Sequence, residues 1–330
     1  MNAEPHPLPT TPERTSVAPR ATRAIVTPIL LFAATVISVF HAGAMFRGID
    51  PSGSLFQGFL DPHYLARGAS FAVPLLAILL THEFGHFFAA RWHGVPASFP
   101  HFIPLPGLGS GTLGAVIAMR GPIRSRNALM DVGASGPLAG LIVALPVLYW
   151  GLAHSSVEPT VASGYMQEGQ SLLYIALKWL ALGRIPAGSD VFLHPTAFAG
   201  WVGLLVTMIN LLPWGQLDGG HVAFALFGDR QHLVARWLRR GLLLLFGYNA
   251  LRFIVPVLLG RSQLPLALAI GNSAFWLVWF VVLGVIGRIS GGAEHPPYEP
   301  GELSPARRAI GFVCLCVFVL LFMPTPIASY

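Results

Sequence analysis

The chain has 330 residues, 54% hydrophobic and only 10% charged, with a mean hydropathy of +0.64. Soluble domains carry about 25% charged residues, so a water-soluble globule is excluded and several membrane spans are expected. The formal charge of +6 rests on arginine, because Lys178 is the only lysine. In so apolar a chain this excess reads as the positive-inside signal of a polytopic protein, and no nucleic-acid partner is expected.

In chain order, residues 1–22 are polar and proline-containing and read as a disordered cytoplasmic tail. No signal-peptide cleavage pattern follows, so 23–330 is taken as a single transmembrane domain. Apolar runs predict about seven spans, near 24–45, 68–92, 128–152, 196–214, 241–260, 265–287 and 308–325. With the N-terminus in the cytoplasm, Arg14, Arg20, Arg23, Arg91, Arg120, Arg124, Arg126, Arg230, Arg236, Arg239, Arg240, Arg288, Arg307 and Arg308 all fall on one side. Arg47, Arg67, Lys178, Arg184 and Arg261 fall on the other, so the count is self-consistent. The cluster Arg236, Arg239, Arg240 reads as a topology determinant that also touches anionic lipid.

Residues 97–119 are apolar but broken by Pro100, Pro104 and Pro106 and by several glycines. Non-helical backbone at membrane depth must be buried in protein or line a wet cavity. A re-entrant loop or β-hairpin is therefore expected after the second span, with an edge that could pair with an extended peptide. Gly136 and Gly140 have the spacing of close helix packing. Residues 153–195 should face outward, with 170–182 a surface or re-entrant helix too short to span. Residues 289–307 read as a Pro/Gly-rich cytoplasmic loop. Cys314 and Cys316 lie in one apolar run and read as core thiols, not a disulfide. His93, His101 and His194 sit near element ends, where structural roles are expected.

The chemistry concentrates in His82-Glu83-Phe84-Gly85-His86, inside the second span. A charged residue at bilayer depth costs about 2.5–3.5 kcal/mol on insertion scales, so such groups are expected to be functional. On a helix the two histidines share one face and can bind one Zn²⁺, and the intervening glutamate can act as base. A third ligand must come from another span at similar depth. Asp218, in Asn210-Leu211-Leu212-Pro213-Trp214-Gly215-Gln216-Leu217-Asp218-Gly219, is the first candidate and His221 its competitor. Co²⁺ or Fe²⁺ could use the same donors.

Together HEFGH and NLLPWGQLDG resemble the site-2 protease family of intramembrane zinc metalloproteases, whose pattern is HExxH followed by NxxPxxxLDG. The likeness extends through the 97–119 segment, the run Gly133–Gly140 and the HPPYEPGELSPARR loop, and so covers most of residues 60–325. It implies that His82, His86 and Asp218 bind zinc, that Glu83 is the catalytic base, and that Asn210 positions substrate or stabilises its oxyanion. It is strongest to members without appended domains; no segment is long enough for the PDZ domain of some relatives. The expectation is an all-α polytopic enzyme of a cell membrane, the bacterial inner membrane, cutting transmembrane or membrane-proximal segments of membrane proteins. A non-catalytic scaffold or chaperone of the same fold, and a metal transporter, are the alternatives. Glu83 speaks against the first and the lack of a visible internal repeat against the second.

Overall fold

A computed structural model describes residues 18–48, 58–119, 121, 123–160, 164–289 and 301–330. The elements run α1 (Ala18–Phe46), α2 (Pro62–Ala66), α3 (Ala69–Trp92), β1 (His101–Pro104), β2 (Thr112–Val116), α4 (Arg126–Ala153), β3 (Ser156–Pro159), β4 (Met166–Glu168) and α5 (Leu172–Leu182). They continue with β5 (Ser189–Phe192), α6 (Pro195–Asn210), α7 (Asp218–Phe227), α8 (Gln231–Leu258), α9 (Leu266–Ile289), α10 (Pro305–Leu321) and β6 (Ile327–Ser329). The protein is mostly helical. Five helical runs are long and apolar enough to cross a membrane: Ile25–Phe46, Ala69–Trp92, Arg126–Ala153, Asp218–Leu258 and Leu266–Arg288.

The expected spans at 196–214 and 308–325 correspond to α6 and α10, of only 16 and 17 residues. At 1.5 Å per residue these reach about 24–26 Å, less than the roughly 30 Å of a hydrocarbon core. α6 is a core helix, with Trp201, Leu204 and Met208 almost wholly buried. The helix that carries the expected fifth span starts ten residues before it, at Gln231, so Arg236, Arg239 and Arg240 belong to that helix. Arginine is a good helix former, and charge alone does not end a helix. α1 likewise begins at Ala18, so 18–22 are helical; residues 1–17 and 290–300, most of the expected tail and loop, lie outside the described residues.

α4 is the central element. Ser125 caps it, its Oγ accepting from the Ala128 amide at 3.1 Å. It packs along α3 and also against α6 and α7. Glycine permits the closest of these contacts: a Cβ at Gly85 of α3 would lie 2.7 Å from the Ser135 carbonyl oxygen of α4.

Between α3 and α4 the chain forms an antiparallel hairpin, with His101 opposite Val116, Phe102 opposite Ala115 and Pro104 opposite Thr112. The register shifts between Phe102 and Pro104, where proline cannot donate to the ladder. The ring of Phe102 packs on Phe32 of α1 at 5.1 Å. Among the described residues β1 pairs only with β2, which leaves the outer edge of β2 unpaired.

The 153–195 segment is more ordered than a lone surface helix. β3 pairs with β5, and β4 pairs with the C-terminal β6 through Met166–Ser329, Gln167–Ala328 and Glu168–Ile327. α5 buries Tyr174 and Lys178, and the Tyr174 hydroxyl donates to Glu168 at 2.8 Å. The cysteines are free; Cys314 is buried as expected, but Cys316 is exposed on the outer surface of α10.

Candidate metal centre

His82, Glu83 and His86 lie in the fourth and fifth turns of α3, with His82 and Glu83 buried. The four-residue spacing puts both imidazoles on one face, with Nε2 atoms 3.2 Å apart. His86 Nδ1–H donates to the Val132 carbonyl of α4 at 2.7 Å. That bond fixes the tautomer and leaves the Nε2 lone pair free to face inward.

Asp218 comes from a distant part of the sequence. α6 ends at Asn210, the chain turns through Leu211–Leu217, and Asp218 opens α7. A carboxylate in the first helical turn is favoured by the helix dipole. Asp218 Oδ2 lies 3.2 Å from His82 Nε2 and 3.2 Å from His86 Nε2. Among the described residues these three form the only group of His, Cys, Asp or Glu side chains placed to hold a metal ion.

The donors fit zinc. Ligands about 2.0–2.1 Å from a tetrahedral ion stand about 3.3 Å apart, close to each 3.2 Å edge of this triangle. Two imidazoles and one carboxylate leave one position of a four-coordinate site open.

The remaining expected residues gather around this triangle. Asn210 Nδ2 is 3.2 Å from His82 Nε2. Glu83, Asn210 and His221 line the same cavity of about 210 Å³, one wall of which is Ala115–Ile117 of the hairpin. His221 sits one turn beyond Asp218, and its nitrogens fall outside the close donor set. His93 and His194 serve structure: His93 Nε2 contacts Asp131 at 2.7 Å, and His194 Nδ1 accepts from the Thr196 amide at 3.2 Å. The partly buried His194 ring is held below the usual histidine range, first by desolvation and then by His154 and Arg47.

The sequence alone does not show the roles of four residues here, Val132, Gly136, Gly140 and Asp131. The Val132 carbonyl carries no side-chain signal at all. Gly136 stands against the His86 ring so closely that a Cβ there would overlap it, and Gly140 approaches His82. Their small-residue spacing showed only that a helix comes close, not which one. Asp131, next to Val132, accepts from Arg307 of α10 at 2.7 and 2.9 Å as well as meeting His93.

His82 and His86 of an apolar helix meet Asp218 of α7 in a close donor triangle with Glu83 beside it, and residues 70–247 match the profile of Peptidase family M50. The chain belongs to that family, the site-2 proteases. It is 32% identical over 222 residues to the probable zinc metalloprotease EGY1, chloroplastic, of Oryza sativa subsp. japonica, a match covering 62% of this chain and 38% of the relative. The Arabidopsis thaliana protein of that name is 36% identical over 163 residues, 48% of this chain and 29% of its own. The probable zinc metalloprotease EGY3, chloroplastic, of Oryza sativa subsp. indica is 26% identical over 312 residues, 84% of this chain and 46% of the relative. The chain thus spans about a third of the length of the first of these curated relatives. No solved structure matches. The family and its zinc metalloprotease relatives imply zinc as the cofactor, and His82, His86 and Asp218 form the cluster that could hold it.

Proposed function

We propose that this M50 protein is an intramembrane zinc endopeptidase that cuts transmembrane or membrane-proximal segments of membrane proteins, as in regulated intramembrane proteolysis. The observation that carries the reading is the 3.2 Å triangle of His82, His86 and Asp218 with Glu83 buried beside it, inside a helix long and apolar enough to span a membrane. In this reading His82, His86 and Asp218 hold the zinc. Bound zinc supplies a Lewis acid that acidifies water and polarises a carbonyl. Glu83 takes the proton of the attacking water and passes it to the leaving amine. The Asn210 amide donates toward the negative charge developing on the substrate carbonyl.

A helical substrate hides its carbonyls in backbone hydrogen bonds and must unwind before cleavage. The unpaired edge of β2 leads into the cavity at Ala115–Ile117 and is suited to receive the unwound stretch as an added strand.

The same proposal includes seven spans with α6 and α10 as the two short ones, the N-terminus and the 289–307 loop in the cytoplasm, and the bacterial inner membrane as location. The arginine distribution supports the orientation. The pairing of β6 with β4 agrees with it, because an odd number of spans puts the C-terminus on the face of 153–195.

The test is cleavage of a panel of single-span helices by the full chain in proteoliposomes. Cleavage should vanish on zinc chelation, return with zinc and be absent in Glu83→Gln. A Glu83→Gln protein that retains its cellular role in full, with no wild-type cleavage of any panel member, would favour the scaffold reading. Metal uptake that depends on His82 but not on Glu83 would favour transport.

A further inference from the structure

α8 presents His232, Arg236, Arg239 and Arg240 at spacings of four, seven and eight residues, which places them along one side of the helix. With Trp214 and Phe280 they line a cavity of about 370 Å³ that shares no lining residue with the cleft at His82. The Arg239 guanidinium lies over two aromatic rings, 4.9 Å from the centroid of Phe280 and 5.5 Å from that of Trp214.

Two hydrogen-bond donors here are left over. Arg239 Nε and Trp214 Nε1 are both buried, and neither has a partner among the described residues. Trp214 is only 6% exposed, so water does not serve it freely. Native proteins leave few buried donors unsatisfied, because each forfeits its hydration without replacement. Among the described residues no carboxylate lines the cavity and none of the three arginines is ion-paired. The cavity is therefore rich in positive charge and donors and poor in acceptors.

Both a carboxylate and a phosphate group match a guanidinium fork, but a carboxylate offers two oxygens in one plane, whereas a phosphate group offers several around a tetrahedron and can accept from donors on several sides. We propose that this cavity binds a phosphate-group anion through Trp214 Nε1, Arg239 Nε and the Arg236 and Arg240 guanidiniums. The cavity is roomy enough for a phosphodiester, and its wall runs onto exposed Leu243, with Leu244 beside it. A phospholipid headgroup and a free phosphate share this chemistry. Trp214 belongs to the turn between Asn210 and Asp218, so an anion bound here sits directly behind the segment that carries both.

The experiment is native mass spectrometry of the purified full chain released from mixed micelles of phosphatidylcholine and phosphatidylglycerol, with a parallel titration of inorganic phosphate. Wild type is expected to retain phosphatidylglycerol over phosphatidylcholine. Arg239→Gln should weaken this about tenfold or more, a charge-assisted hydrogen bond being among the strong ones. Arg236→Gln and Arg240→Gln, at exposed positions, and Trp214→Phe, which removes the N–H donor while keeping an aromatic face for Arg239, should each weaken it several-fold. Arg261→Gln, beyond the opposite end of α8, should change nothing. Inorganic phosphate that displaces the lipid with the same arginine dependence identifies free phosphate as a ligand of the site. Binding of the lipid alone identifies the headgroup. Equal retention by wild type and all the Arg236, Arg239, Arg240 and Trp214 variants, or no preference of wild type for phosphatidylglycerol over phosphatidylcholine together with no binding of inorganic phosphate, overturns the proposal.

Discussion

Gly136 of α4 lies directly against the imidazole of His86 on α3, with no room for a methyl group between them. The contact ties the metal-site geometry to helix packing rather than to the donor residues alone. Gly136→Ala must push the His86 ring away from Val132 and Asp218, and should lower zinc affinity by about 10–100-fold. At Gly140 the nearest atom to an added Cβ would be His82 Cβ at 3.1 Å, an aliphatic contact that can relax. Gly140→Ala should therefore cost much less. Zinc content of the two variants after dialysis against a weak chelator checks this ordering.

Glu83 is not one of the three donors, so its replacement should separate chemistry from metal binding. Glu83→Gln should keep the zinc content of wild type and lose about 10²–10⁴-fold in cleavage rate, the usual contribution of a positioned base. Elemental analysis beside a single-turnover cleavage assay reads both quantities in one preparation.

Asn210 lies at the end of α6, its amide nitrogen 3.2 Å from His82 Nε2. Asn210→Ala should leave zinc bound and reduce kcat by about 10²–10³-fold, the scale of losing one oxyanion donor. A change confined to KM would instead assign Asn210 to substrate binding.

At the α3–α4–α10 junction, Asp131 takes charge from both His93 and Arg307. These groups are partly exposed, so solvent screens the pairs and each is expected to contribute modestly. Arg307→Gln should lower stability by about 0.5–1 kcal/mol. Asp131→Ala, which leaves two partners facing each other unpaired, should lower it by about 1–3 kcal/mol. Thermal unfolding in a defined detergent ranks the two, and hydrogen exchange should show the first turn of α10 loosening first.

What the sequence disclosed was whatever is local. The four-residue spacing of His82 and His86 places both rings on one helix face without any tertiary information, and the long apolar runs at α1, α3, α4 and α9 mark their own helices. Pro100, Pro104 and Pro106 with the glycines after them marked a non-helical segment, although periodicity could not choose between a loop and a hairpin. Asp218 was reachable because its turn ends a helix at comparable depth. The rest depends on contacts between distant segments. Strands of three or four residues such as β4 and β6 carry almost no pattern of their own, and only tertiary pairing creates them. The sequence of α6 carries no mark of how deeply it is packed, because a helix buried on all sides in protein is as apolar as one facing lipid. The start of α8 was hidden by its arginines, which suggest a loop but sit comfortably on a helix. Val132 shows nothing in its side chain because its carbonyl oxygen is the functional atom.

The central claim is that one zinc ion is shared by His82, His86 and Asp218. The most direct measurement is the zinc content of purified wild-type, Asp218→Ala and His221→Ala protein, prepared identically. A shared site requires about one zinc per chain in wild type, a large loss in Asp218→Ala and retention in His221→Ala. Full zinc in Asp218→Ala together with loss in His221→Ala would contradict it.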